Sequence, residues 1–150
     1  MPRVLTFGTF DIFHIGHVHY LKQARELSKS GDVIVIVARD KNVIKFKNKK
    51  PINHEDERLE LISHLKLIDL AMLGKEENIY ELVKEINPDI ILLGHDQEPS
   101  EENLAKKLSE IGIDSKIVRA KAYKSDKIKS SKILDKILLE HESNFNSLKE

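Results

Sequence analysis

Apolar and polar positions along this chain change rhythm at regular intervals. Val4-Leu5-Thr6-Phe7 is an apolar, β-type run, and after a loop Val18, Leu21, Ala24 and Leu27 recur at helical spacing with Tyr20 beside them, while Lys22, Arg25, Glu26 and Lys29 face away. Ser30-Gly31-Asp32 closes that helix. Val33-Ile34-Val35-Ile36-Val37-Ala38 then runs without polar alternation, as a strand buried on both faces of a parallel sheet must. Leu70 to Leu73 reads as a short strand closed by Gly74, and Asn78 to Ile86 as a helix burying Ile79, Leu82, Val83 and Ile86, stopped by Asn87-Pro88-Asp89. Ile90 to Leu93 is a further strand; Ser100 opens a helix carrying Leu104, Ala105 and Leu108, with Gly112 at its C-cap. Lys116 to Arg119 is the fifth strand, and Ser130-Ser131 cap a last helix with Ile133, Leu134, Ile137 and Leu138 as its stripe.

Two stretches break the pattern. Arg39 to Asn53 turns polar and basic and reads as a solvated loop, with Asn53 capping a helix whose core face is Leu59, Ile62 and Leu65. Ser143 to Glu150 reads as a polar tail that frays. Strands alternating with helices predict an α/β architecture: a Rossmann-like, doubly wound sheet of five parallel strands with helices on both faces, forming a single domain over residues 1–142. In strand order 3-2-1-4-5 the winding reverses between the first and fourth strands. The loops that follow those strands, one holding His14 and the other Asp96, then flank one crevice.

The loop after the first strand carries the chemistry. Gly8-Thr9-Phe10-Asp11-Ile12-Phe13-His14-Ile15-Gly16-His17 joins a strand to a helix start, where unpaired N–H groups and a partial positive charge favour an anion. The two glycines allow close backbone approach to a phosphate, and the imidazoles add donors. A histidine pair three residues apart at a helix start is also consistent with a cap and a packed ring, and His19 extends the spacing toward a metal site. Further ligands of the kind a metal usually requires do not stand nearby, so the reading is phosphate binding and no metal held by protein side chains.

Composition narrows the classes. Lys and Arg number 25, as do Asp and Glu, so affinity for phosphates comes from local clustering; a general nucleic-acid binder is disfavoured. There are no cysteines, which excludes disulfides and thiol catalysis. No apolar run approaches membrane-spanning length and no charged-then-apolar leader precedes the first strand, so a cytoplasmic protein without membrane contact is expected.

The decapeptide Gly8 to His17 resembles the His-x-Gly-His motif of the cytidylyltransferase-like nucleotidyltransferases. Val35-Ile36-Val37-Ala38-Arg39-Asp40, Lys50-Pro51-Ile52, Leu93-Gly94-His95-Asp96-Gln97 and Tyr123-Lys124 resemble the archaeal-type FAD synthase branch. The Arg-Thr-x-Gly-Ile-Ser-Thr-Thr segment of glycerol-3-phosphate cytidylyltransferases is matched only by the final Ser130-Ser131, and the cysteines expected after Tyr-Lys are replaced by Ser125 and Asp126.

The resemblance implies transfer of AMP from ATP to FMN, giving FAD and pyrophosphate, with a divalent cation such as Mg²⁺ on the phosphates. It implies catalytic roles for His14, His17 and Lys45, with Lys47 as rival to Lys45. Nucleotide contacts fall to Thr9, Phe10, Ile15, Gly16, Asp96, Tyr123, Ser130 and Ser131. Arg58, Asp40 and Lys127 are assigned to phosphate or acceptor, and Phe13, Ile44 and Phe46 offer an apolar slot for the flavin ring. The alternatives are cytidylyl transfer to a small phosphate such as glycerol phosphate and, in another class, a nucleotide-binding module without turnover. Assembly as a homodimer is also expected.

Overall fold

Strand β2 (Val33–Val37) is apolar at every position because both of its faces are covered. Val33, Val35 and Val37 belong to one core cluster, with Val4, Leu21, Ala24, Ile62 and Leu92; Ile34 and Ile36 belong to a second, with Leu5, Val83, Ile86, Ile91, Leu104 and Leu108. Strict alternation between two cores is what a sheet with helices on both faces requires. The computed structural model describes residues 1–123 and 129–149. The sheet contains β1 (Val4–Gly8), β2, β3 (Leu70–Leu73), β4 (Ile90–Leu93) and β5 (Lys116–Arg119), all parallel, in the order β3-β2-β1-β4-β5. This is the order expected from the sequence. It places the switch of winding direction at β1 and β4, whose carboxyl ends open on the loops of interest.

Helices α1 (Ile15–Ser28) and α3 (Glu55–Ser63) pack on the first core, and α4 (Ile79–Ile86) and α5 (Glu101–Glu110) on the second. A buried polar contact fixes α1 to the sheet: the Tyr20 hydroxyl donates to the Leu92 carbonyl (2.8 Å) and meets the Thr6 hydroxyl. Both polar side chains thereby find partners inside the core. Burial pushes the Tyr20 hydroxyl pKa up to about 12, so it stays a neutral donor.

Three local expectations are corrected. The basic stretch after β2 is no plain loop: it folds into α2 (Asp40–Lys47), with Val43 inward, Asp40 in its first turn, Lys45 and Lys47 in its last and Asn48 in the left-handed conformation at its C-cap. Charges thus complement both ends of the helix dipole. Asn53 does not cap α3; His54 does, its ring accepting from the Asp56 N–H. The last helix, α6 (Ser130–Lys149), continues through the segment expected to fray. No glycine or proline interrupts it, and Phe145 and Leu148 extend the apolar stripe.

Candidate active site

Between β1 and α1 the chain turns through Phe10 (φ 54°) and Ile12 (φ 47°), both in the left-handed region although neither is glycine. Such residues cost on the order of 1–3 kcal/mol each and persist only where their surroundings hold them. Phe10 is 3% exposed, its ring edge-on to His17 (5.4 Å between centroids) and stacked on Tyr20 (6.4 Å). A Cβ on Gly8 would stand 2.6 Å from that ring. The space at Gly8 therefore admits Phe10, in place of the phosphate that the sequence suggested. Asp11, whose carboxylate accepts from the Ile52 and Asn53 N–H groups (2.7 and 2.9 Å), ties the turn to the segment before α3. The Ser130 hydroxyl, from the start of α6, donates to the Asp11 carbonyl.

His14 is the N-cap of α1. Its Nδ1 accepts from the Gly16 N–H (3.1 Å), while the His14 N–H donates to Nδ1 of His17 (3.2 Å). A neutral imidazole accepting at Nδ1 carries its proton on Nε2, so both rings keep an Nε2–H available to a ligand. The capping role and the ligand role coexist in the same rings. Some N–H groups at the helix mouth are consumed by this arrangement: those of His17 and Val18 go to the His14 carbonyl, and that of Gly16 to the His14 ring. The imidazoles lie 3.8 Å apart, stacked at 27°, with Phe13 against the far face of the pair at 5.3 Å from His17. Burial lowers the pKa of His14. For His17, burial followed by repulsion from His14 and Lys47 lowers it to about 4, so both rings are neutral at pH 7.

The lysine of α2 that reaches the turn is Lys47. Its Nζ donates to the Thr9 hydroxyl (3.2 Å), and burial lowers its pKa while the charge of Asp96 acts the other way. Lys45 stands on the exposed side of α2 with its ammonium 5.9 Å from the Phe46 ring centroid. Ile44 and Phe46 are likewise exposed. Arg58 does not face the crevice as expected. It is 1% exposed, and its guanidinium donates to the Asn53 and Thr9 carbonyls (3.0 and 2.8 Å) and to the Asp40 carboxylate (2.6 Å). Arg58 and Asp40 thus brace the turn from beneath, and neither is presented to a phosphate.

Across the crevice, Asp96 pairs with Lys129 (3.3 Å) beside His95. Arg119 holds that loop by donating to the Gly94, Gln97 and Pro99 carbonyls and pairing with Glu101. Tyr123 stacks on His19 at 3.7 Å, and Gln23 of α1 exchanges hydrogen bonds with the Lys121 backbone. Lys121 and Tyr123 are thereby pinned to the flank of α1. Ser130 and Ser131 open α6 as expected, with Ser130 directed at the turn; Lys127 lies outside the described residues.

Carboxylates near the turn are already engaged. Asp11 holds two backbone N–H groups and Asp96 a lysine. Asp40, His54 and Glu55 bring ligand atoms within 4.8 Å of one another, but Arg58 and Arg39 neutralise the two acids. Among the described residues this donor set does not form a cage for a divalent ion.

The sequence model of the cytidylyltransferase-like family matches residues 5–136. The FAD synthase of Thermococcus sibiricus is 46% identical over 138 residues, covering 91% of this chain and 92% of its own length. That of Methanothermus fervidus is 48% identical over 132 residues, covering 87% and 90%. A crystal structure described as a lipopolysaccharide core biosynthesis protein of Thermoplasma volcanium superposes with a TM-score of 0.77 at 46% identity, covering 82% of this chain and 98% of that one.

Proposed function

The chain belongs to the cytidylyltransferase-like family, and on that premise we propose that it is an FAD synthase, moving the adenylyl group of ATP onto the phosphate of FMN. The observation that carries the transfer chemistry is the pair of neutral imidazoles at the mouth of α1, each with Nδ1 engaged by backbone and Nε2–H left for a ligand. The choice of ATP and FMN rests on the FAD synthases of which this chain is a 46–48% identical relative.

The acceptor needs no general base. A phosphate monoester, with a second pKa of about 6, is largely dianionic at neutral pH. One of its oxygens attacks the α-phosphorus in line; a P–O bond forms, the bond to the bridging oxygen breaks, and pyrophosphate leaves with the electron pair. Negative charge grows on the equatorial and leaving oxygens. His14 and His17 donate to those oxygens through Nε2–H, and Lys47 supplies positive charge from the Thr9 side. Because the rings are already seated by backbone hydrogen bonds, little reorganisation accompanies the reaction.

Asp96, Lys129, Ser130 and Tyr123 line the opposite side, where the nucleotide's sugar, polyphosphate and base extend. Arg58, Asp40 and Asp11 act as positioning residues that hold the turn. A divalent cation, Mg²⁺ in the simplest case, would come as part of the triphosphate and would supply neutralisation of its charge, since Arg58 and Arg39 already occupy the Asp40 and Glu55 carboxylates.

The test offers the purified protein FMN or glycerol 3-phosphate with each of ATP and CTP. FAD and pyrophosphate from FMN and ATP are expected. CDP-glycerol from CTP would move the assignment to cytidylyl transfer, and binding without pyrophosphate release would leave a nucleotide-binding module. His17→Ala should cut pyrophosphate release about a hundredfold or more, since one pre-placed oxyanion donor is typically worth that much.

A further inference from the structure

The backbone hydrogen bonds that seat the two imidazoles fix one atom of each ring. At His17 that atom is Nδ1, held by the His14 N–H at 3.2 Å. The torsion that turns a histidine ring about its Cβ–Cγ bond is soft, with a broad two-fold profile, so one such bond leaves the tilt of the ring plane to packing. The direction of Nε2–H follows that tilt.

Two phenylalanines supply the packing. Phe13 lays its ring along the His17 imidazole, 5.3 Å between centroids and 20° between planes, while Phe10 meets the same imidazole edge-on at 5.4 Å and 65°. A parallel contact and a steep one restrain different tilts. Phe10 is itself a core residue: it is buried, it fills the space over Gly8, and it stacks on Tyr20, whose hydroxyl is fixed to the Leu92 carbonyl. Phe13 is half-buried at the rim of the first core. It precedes the N-cap of α1, the position from which an apolar side chain ordinarily staples a helix start by packing on the fourth helical residue, here Val18. Its ring stacks on the third, His17.

We propose that Phe13 is a positioning residue whose face sets the plane of His17 and, through the stack of His17 on His14, the plane of His14, so that both Nε2–H groups converge on one phosphate; this rests on the role of the two histidines as donors in the transfer proposed above. The imidazoles of that stack lie 3.8 Å apart. Phe13 has no polar atom to offer a ligand, so it acts through the rings it orders. Burial, followed by repulsion from His14 and Lys47, lowers the His17 pKa to about 4, so the contact joins two uncharged rings. It therefore orders the imidazole without the attraction that a cation over an aromatic face would add.

Phe13→Leu keeps apolar bulk and removes the planar face. It should lower kcat about tenfold, the effect of moving Nε2 by a fraction of the 1 Å that can cost roughly a hundredfold, with KM for ATP and for FMN within about twofold of the parent. Phe13→Tyr keeps the face and should return kcat to within about threefold. In a His17→Ala background, Phe13→Leu should change kcat less than about twofold, because its route to the phosphate is already cut. A second readout needs no turnover: order parameters of the His17 ring ¹³C–¹H groups should match the rigid backbone in the parent and in Phe13→Tyr, and fall below about 0.6 in Phe13→Leu. Phe13→Met is read in its place should Phe13→Leu fail to fold. A lowered Tm with unchanged kcat would leave Phe13 a helix staple alone, and a tenfold rise in KM for FMN at unchanged kcat would make it a wall of the acceptor site. Either result would overturn the proposal, as would a tenfold loss repeated in the His17→Ala background or a His17 ring as rigid in Phe13→Leu as in the parent. Failure of the parent protein to form FAD from ATP and FMN would instead refute the assignment of function, and the ring order parameters would still decide whether Phe13 holds His17.

Discussion

Arg58 is the most informative residue to change, because two roles for it make opposite predictions. Its guanidinium makes three hydrogen bonds, to two carbonyls and to Asp40, from a position 1% exposed. Arg58→Met keeps most of the stem's bulk and removes the charge. Breaking a buried ion pair from one side costs about 3–5 kcal/mol, since the remaining ion stays desolvated. Asp40 would retain the Glu55 N–H and the nearby His54 ring, which points to the lower end, about 3 kcal/mol. For a chain of this size each kcal/mol moves Tm by roughly 2–4 °C, so a fall of about 6–12 °C is expected. Burial pushes the Asp40 carboxyl upward, and the Arg58 hydrogen bond, the Glu55 N–H and the charges of Arg58 and His54 together more than offset this in the intact protein, so the variant should also lose stability further above the carboxylate range, where Asp40 is forced to ionise without its guanidinium. Differential scanning calorimetry at pH 7, together with KM for ATP measured well below the new Tm, decides the matter. A Tm within about 2 °C of the parent with KM for ATP raised tenfold or more would mean that Arg58 faces the phosphates and that the brace is wrong.

Lys47→Ala should lower kcat about a hundredfold, whereas Lys45→Ala should change it less than about threefold, since of these two lysines it is Lys47 that reaches Thr9; equal losses in steady-state assays would contradict the geometry. His17 binds its proton more weakly when folded, with a pKa near 4 against an ordinary 6.5, so the unfolded chain holds more protons between those values and stability must rise with pH across that window. Unfolding free energies from urea titrations should therefore drop on acidification from pH 6.5 to 4, by about 2–3 kcal/mol from this group, and His17→Gln should flatten that part of the curve; an unchanged slope in the variant would exclude His17 as its source. Gly8→Ala should cost about 1–3 kcal/mol in denaturant unfolding, because the Phe10 ring must move off His17 and Tyr20 to admit the methyl group. A variant as stable as the parent would show that the ring is free to yield.

Periodicity was enough to read the sheet, because Val33–Val37 and Ile90–Leu93 carry a signal set by burial on two faces, and alternation with helices leaves few topologies. The helix α2 escaped notice because only Val43 is buried and lysines dilute the pattern, although Asp40 at its start and Lys47 one turn beyond Val43 are what a short dipole-complemented helix carries. The motif located His14 and His17, since their spacing follows from the turn itself. Which ring atom faces outward depends on the backbone hydrogen bonds around them, and that is information about three-dimensional geometry. Arg58 shows the limit most clearly. Its chemistry suits a phosphate equally well, and nothing in its neighbours along the chain reveals that Thr9 and Asp40 close over it. Asp11 is similar: its partners lie 41 and 42 positions away.

The hydroxyl of Ser130 touches the carbonyl of Asp11 across 119 positions of sequence. During synthesis the first strand, its turn and the following helix leave the ribosome long before α6 does, and for all that interval the turn lacks this contact. A nascent chain halted before Ser130 should therefore hold ATP less tightly than the released protein, and nucleotide capture should coincide with the arrival of the final helix.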